Sequence, residues 1–213
     1  MQIAITPDLA YVFSNLFVGD GGIYPLRQKS KTCKKGYYIA YQIVMSSTDK
    51  EYVEEFNERI CRLLQKKRLM KLQLIKRPNR LDLYKTQVNC GKKFYVWVKS
   101  RSDEFMANLW RTYPHEFLQS WFDSDGTASP TQHNGGMQLA LTNSNKKWIR
   151  FAQELMRDVY GIEINLYLNQ HLKSGKTQWT LQTNKRDVIE KFYEQIGFGI
   201  KRKQETLRRW IKK

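Results

Sequence analysis

Leu9, Val12, Phe13, Leu16 and Phe17 fall on one face of a helix, and the run closes in Gly19-Asp20-Gly21. A second run, Phe117, Leu118, Trp121 and Phe122, closes in Ser124-Asp125-Gly126. Each is opened by a proline suited to the first helical turn: Pro7 behind a capping Thr6, and Pro114. Two copies half a chain apart predict two similar halves, divided at 1–113 and 114–213, rather than a solenoid of many repeats.

The pattern that follows each copy predicts the same order of elements. In the first half, Ile23 to Lys29 reads as a strand and 27–36 as a basic turn. Tyr37 to Ser46 alternates as a half-buried strand. Tyr37, Ile39, Tyr41, Ile43 and Met45 form its core face; Tyr38, Ala40, Gln42, Val44 and Ser46 form the other. Thr48-Asp49-Lys50-Glu51 reads as a capping box that opens a helix to about Lys67. Lys71 to Lys76 and Arg80 to Tyr84 read as strands, the polar stretch 85–93 as an extension of their hairpin, and Phe94 to Ser100 as a further strand. Ser102 to Tyr113 reads as a closing helix. In the second half, Thr127 to Gln132 and Gly136 to Asn143 form a hairpin, and Asn145 caps a helix that Gly161 ends. Ile164, Leu166 and Leu168 alternate with polar neighbours. A Lys173–Lys176 turn leads to a strand with Trp179 and Leu181 inward, and a helix runs from Asn184 to Ile196. The tail, 201–213, reads as a basic docked helix. The expected class is α+β, in one rigid body with pseudo-twofold symmetry.

Charge narrows the partner. The chain of 213 residues carries 37 Lys and Arg against 20 Asp and Glu, a formal charge of +17. A polyanion is the expected ligand, and nucleic acid before a membrane surface, because the basic residues are spread over both halves. No apolar run reaches the roughly 18 residues of a spanning helix. The N-terminus lacks the pattern of a signal peptide. Cys33, Cys61 and Cys90 are spaced for neither disulfides nor zinc and are expected as reduced thiols. Three scattered histidines support no triad, and the absence of a phosphate-binding glycine loop argues against NTP-driven activity.

The chemistry then rests on Asp20 and Asp125. A carboxylate at a helix C-terminus is disfavoured by roughly 0.3–1 kcal/mol, and a bound cation reverses that sign. Side-by-side packing of the two helices is expected to bring both acids together, where a hard divalent metal balances them.

The segments Phe13–Gly21 and Leu118–Gly126 resemble the two signature helices of a LAGLIDADG homing endonuclease in its single-chain, two-motif form. Asn15 stands where that pattern has Gly, Val18 where it has its first Asp, and Gln119, Ser120 and Trp121 where it has Ala, Gly and Leu. The resemblance implies two αββαββα half-domains whose antiparallel sheets form a saddle along double-stranded DNA. It implies a site-specific double-strand break with short 3′ overhangs, made with Mg²⁺ on Asp20 and Asp125. It also implies that the backbone carbonyls of Gly19 and Ser124 complete the metal shell. Mn²⁺ is expected to substitute, and Ca²⁺ to support binding without cleavage. Lys99, Gln182 and Asn143 are the expected accessory residues, with Lys99 against Gln182 making the two sites, and their strand-cutting rates, unequal. Met45 and Ser46 are the first-half candidates for the place of Asn143.

On the outward strand faces, Gln28, Tyr38, Gln42, Ser46, Gln138, Thr142, Asn165, Asn169, Gln178 and Thr180 are candidates for base contacts, and Lys29, Lys31, Lys34, Arg80, Lys173 and Lys176 for phosphates. The alternatives are an intron RNA maturase and a non-cleaving DNA-binding protein on the same fold. By family habit the chain is expected to be an intron-encoded monomer of the prokaryotic cytoplasm or nucleoid, with an organelle matrix as the alternative.

Overall fold

A computed structural model describes residues 3–131, 135–170 (backbone alone at 169 and 170) and 177–213. The chain divides into two compact units, Met1–Leu109 and Trp110–Lys213. Each contains a four-stranded antiparallel sheet backed by helices, an α+β architecture.

The first unit begins with α1 (Pro7–Phe17), whose Thr6 hydroxyl accepts the Leu9 amide at 3.2 Å. Strands β1 (Gly21–Lys29) and β2 (Tyr37–Ser47) pair from Gly21 opposite Met45 to Lys29 opposite Tyr37. Helix α2 (Lys50–Leu63) follows, then β3 (Gln73–Ile75), β4 (Leu83–Asn89), α3 (Gly91–Lys99) and α4 (Asp103–Thr112), whose last residues, from Trp110 on, belong to the second unit. The sheet order is β1-β2-β4-β3. Leu9, Val12 and Phe13 of α1 are buried with Ile43 and Met45 of β2, Val53, Phe56 and Ile60 of α2, and Val88 of β4.

The second unit repeats the order: α5 (Pro114–Asp125), β5 (Gly126–Pro130), β6 (Met137–Asn143), α6 (Lys146–Tyr160), β7 (Asn165–Gln170), β8 (Thr177–Thr183), α7 (Arg186–Gln195) and α8 (Lys201–Ile211). Its sheet order is β5-β6-β8-β7. Asn145 caps α6 by accepting the Trp148 amide at 3.4 Å, and Gly161 ends it in the left-handed conformation, as the sequence led us to expect. An aromatic cluster of Trp110, Phe117, Trp121, Trp148 and Phe151 packs α5 against α6.

Three expectations are corrected. Phe94 to Ser100 is not a strand; it lies in α3, after a Gly91 at φ +74°. Phe94, Val96 and Val98 alternate, and valines and aromatics favour strands. The burial instead has helical spacing, with Phe94 and Val98 inside and Val96 52% exposed. Trp97 decides the outcome, because the helix places its ring against Phe13, Phe94 and Phe105. The strand of that region is β4, which occupies most of the polar stretch read as a hairpin extension. The capping box at Thr48 does not form. Asp49 is the N-cap and makes no side-chain capping bond, its amide donating to the Ser47 hydroxyl, and α2 ends at Leu63 rather than near Lys67.

The junction of α5 and β5 has no slack. A Cβ on Gly126 would stand 2.4 Å from the Phe122 carbonyl oxygen, backbone that cannot move aside. We predict that Gly126→Ala costs about 1–3 kcal/mol of stability by overpacking. Urea unfolding measures this, and an unchanged midpoint would contradict the tight junction.

Candidate active site and nucleic-acid interface

The two motif acids stand in different surroundings. Helix α1 stops at Phe17 and is closed by the Val18 and Gly19 amides, both donating to the Ser14 carbonyl at 3.0 Å. Asp20 therefore lies in the turn before β1, where it is exposed. Helix α5 continues through Asp125, which is half-buried. The shared sequence thus gives two layouts, not the single one expected.

Asp125 is held by neutral donors. The Asn143 amide donates to its Oδ2 at 2.7 Å, and the Trp121 indole, one helical turn back, donates to the same oxygen at 3.1 Å. Burial pushes the carboxyl above its ordinary value; the hydrogen bonds from Asn143 and Trp121 and the nearby Lys203 charge oppose that rise. Such a group suits a hard cation: an oxygen donor, partly desolvated, on an element fixed by packing. Among the described residues, no group of three or more His, Cys, Asp and Glu could enclose a metal. A divalent ion at this acid would lack a full cage of protein carboxylates and would complete its shell with neutral oxygens such as backbone carbonyls and water, as Mg²⁺ commonly does.

Sheet register replaces two of the accessory assignments. Gly21 pairs with Met45 and Gly126 with Leu141, so the first-half counterpart of Asn143 is Ser47. Neither Met45, fully buried, nor Ser46 holds that place. Ser47 and Asn143 each accept the amide two residues on, at 3.3 and 2.9 Å, but serine has no amide to donate to an acid. Val44 pairs with Gln87 and Ala140 with Gln182, so the counterpart of Gln182 is Gln87. Lys99 is exposed in the last turn of α3, off the sheet altogether. The asymmetry expected from Lys99 and Gln182 loses its basis, since both halves carry glutamine there.

The open sheet faces are partly self-satisfied. Gln42 is only 4% exposed: its amide donates to Asn89 at 3.0 Å, and its carbonyl accepts from Gln87. Thr180 is 3% exposed, its hydroxyl 2.8 Å from that of Thr142. These two were expected to face outward; their strand neighbours cover them. Gln28 accepts from the exposed Tyr38 hydroxyl, and Asn165 donates to Tyr167 at 3.2 Å. Ser46, Gln138 and Gln178 are half-buried. Lys29, Lys31 and Lys34 are exposed at the β1–β2 end, and Arg80 is exposed in the turn before β4. The Asn169 side chain, Lys173 and Lys176 lie outside the described residues.

Residues 112–197, from the end of α4 through α7, match the LAGLIDADG-like domain family. The solved structure of I-DmoI in complex with DNA and Mn superposes with a TM-score of 0.62, covering 91% of this chain and 97% of that one at 21% identity. The chain has the LAGLIDADG fold. The meganuclease I-SmaMI, bound to uncleaveable DNA, has a TM-score of 0.54 over 97% of this chain and 88% of its own, at 11% identity. In sequence, an uncharacterized protein of Methanocaldococcus jannaschii is 23% identical over 223 aligned residues, 99% of this chain and 74% of that protein. A DNA polymerase of Thermococcus litoralis is 30% identical over 135 residues, 61% of this chain but 8% of the polymerase. Among the described residues of this LAGLIDADG fold, no helix is long and apolar enough to cross a membrane.

Sequence reasoning passed over Trp121, Ser47, Gln87, Asp123 and Lys203. Trp121 and Asp125 were legible as an i, i+4 pair. The others needed the register of the sheet or the docking of the tail.

Burial penalises only the charged form of Asp125, so the native protein holds that proton more tightly than the unfolded chain. Its contribution to stability is most favourable below the ordinary carboxylate value and is lost as pH rises through the elevated native one. We predict that Asp125→Asn, in EDTA at neutral pH, melts at a higher temperature than wild type, and that the gap closes as pH falls through that window. A lower melting temperature, or a gap that widens on acidification, would contradict this.

Proposed function

We propose that the protein is a site-specific double-strand DNA endonuclease of the homing type. The observation that carries this reading is the acid that closes each half's motif, set beside an open antiparallel sheet, in a chain of net charge +17. The resemblance to I-DmoI, whose structures include complexes with DNA and Mn and with DNA and Ca, supports it.

In this reading Asp20 and Asp125 hold Mg²⁺, with the Gly19 and Ser124 carbonyls as further oxygen ligands. When bound there, the ion would supply charge neutralisation at the scissile phosphate and a more acidic water. The protein's part is to orient. Asn143 and Trp121 fix the direction of the Asp125 carboxylate, and Gln182 and Gln87 offer amides from matching strand positions to phosphate or solvent. Lys29, Lys31, Lys34, Arg80, Lys173 and Lys176 contact phosphates. Gln28, Tyr38, Gln138, Asn165, Asn169 and Gln178 read base edges, with Ser46 and Thr142 beside them. Gln42 and Thr180 act indirectly, by fixing their neighbours. Each acid serves one strand, and the breaks leave short 3′ overhangs. The chain acts as a monomer, is intron-encoded, and works where its host DNA lies, in a prokaryotic nucleoid or an organelle matrix.

The test is a duplex that rejoins the host sequences on either side of the protein's own coding element. Wild-type protein with Mg²⁺ or Mn²⁺ should cut both strands, Asp20→Asn and Asp125→Asn should each leave one strand intact, and Ca²⁺ should give binding alone. The two strands should be nicked at unequal rates on a supercoiled plasmid, because Asp20 is exposed and the first half has a serine at the position of Asn143, while Asp125 is half-buried and tied to Asn143. Equal rates would remove that asymmetry. Tight duplex binding without cleavage would favour the regulatory reading, and preference for the intron transcript the maturase reading.

A further inference from the structure

The tail helix α8 and the second motif helix α5 cap one another. Asp123, two residues before the motif acid, is 2% exposed. Its carboxylate accepts the amides of Gly199 and Ile200, both at 3.1 Å, where α8 is about to begin. A carboxylate at a helix N-terminus satisfies amides that the helix cannot. In return Lys203, in the first turn of α8, sends its ammonium to the end of α5. It donates to the Phe122 carbonyl at 3.1 Å, to Asp123 at 2.5 Å and to Gly126 at 2.7 Å. The aromatic contacts of Phe198 with Phe122 and Phe192, and the Gln204 side chain bound to the Phe198 amide at 2.8 Å, hold the α7–α8 joint in place.

The placement of those three carbonyls is the informative feature. Phe122 and Asp123 precede Asp125, and Gly126 follows it, so one ammonium spans the point where helix becomes strand. An ordinary lysine cap meets only the last turn of its helix. Val18 stands in the first half where Asp123 stands in the second, so the first motif has no carboxylate with which to make the reciprocal bond.

We propose that Lys203 is a positioning residue for Asp125, and that residues 199–211 are thereby part of the second acid site and of that site alone. Its effect on cleavage rests on the endonuclease reading above; its effect on the geometry of Asp125 does not.

The experiment compares wild type with Lys203→Met and Lys203→Arg in two readouts. The first needs no DNA and no metal: the ¹H–¹⁵N indole resonance of Trp121, which donates to Asp125, assigned with Trp121→Phe. Lys203→Met should shift or broaden that resonance while Trp97, in the other unit, holds its position, and Lys203→Arg should restore it. The second readout is strand-resolved nicking of the target duplex in Mg²⁺. Lys203→Met should slow one strand by at least about tenfold, as expected when a reacting group is misplaced. The other strand should be cut at the wild-type rate, so that nicked circles accumulate.

A folded Lys203→Met protein with an unmoved Trp121 resonance, or with both strands slowed equally, overturns the proposal. If Lys203→Met does not fold, Lys203→Gln replaces it. Failure of both to fold would make Lys203 a stability residue and also overturn the proposal. If wild type cuts neither strand, the endonuclease reading fails, and the indole resonance alone still decides whether Lys203 sets Asp125.

Discussion

The passage from helix to strand at Asp125–Gly126 constrains the second unit more than any other feature. The strand leaves so close under the last helical turn that no side chain fits at Gly126. Everything around Asp125 follows from that proximity. The carboxylate is pressed between its own helix and β6, where Asn143 reaches it, and the Trp121 indole turns back on it from one turn earlier. Helix-terminal carbonyls that an ordinary loop would expose to water are within reach of a lysine from a distant helix. At Gly21 the corresponding contact is 3.1 Å, to the Asn15 carbonyl. The helix there ends earlier and leaves its acid on the surface. Where each helix ends relative to its acid, three residues before Asp20 in α1 and at Asp125 itself in α5, separates an exposed carboxylate from a half-buried one.

Much of this was legible along the chain. The doubled motif, the helix starts at Thr6 and Asn145, the stop at Gly161 and the two hairpins follow from local rules: caps, turn residues and periodicity. These rules act within a few residues and depend little on context. The segment 94–100 shows where they end. Its alternation satisfies a strand as well as a helix, and the choice was made by Trp97 packing on Phe13 and Phe105 outside the segment and on Phe94 within it. Thr48 shows the same limit on a smaller scale: a sequence that can form a capping box need not do so when Ser47 already serves the next turn.

The site divides along the same line. That Asp20 and Asp125 matter was readable, because acid followed by glycine at a helix end is a local pattern. Their partners were not, because they are set by register. Asn143 is matched by Ser47 rather than by its nearest look-alikes, and Gln182 by Gln87 rather than Lys99. A sheet turns such correspondences by the exact count of residues in each hairpin, which composition does not reveal. Lys203 lies further still from the reach of sequence, 77 positions from a carbonyl it binds.

The amides of Asn89, Gln42 and Gln87 form a chain of bonds across β2 and β4. A surface already bonded to itself behaves differently from a bare one. A visiting polar group gains little by replacing a bond of equal quality, whereas one that displaces an amide without replacing its partner leaves two groups unmatched. Such a face contributes weakly to how tightly anything adheres and strongly to what is turned away. Its selectivity is written in penalties, and a neighbour altered anywhere along the chain of amides changes what every other link will accept.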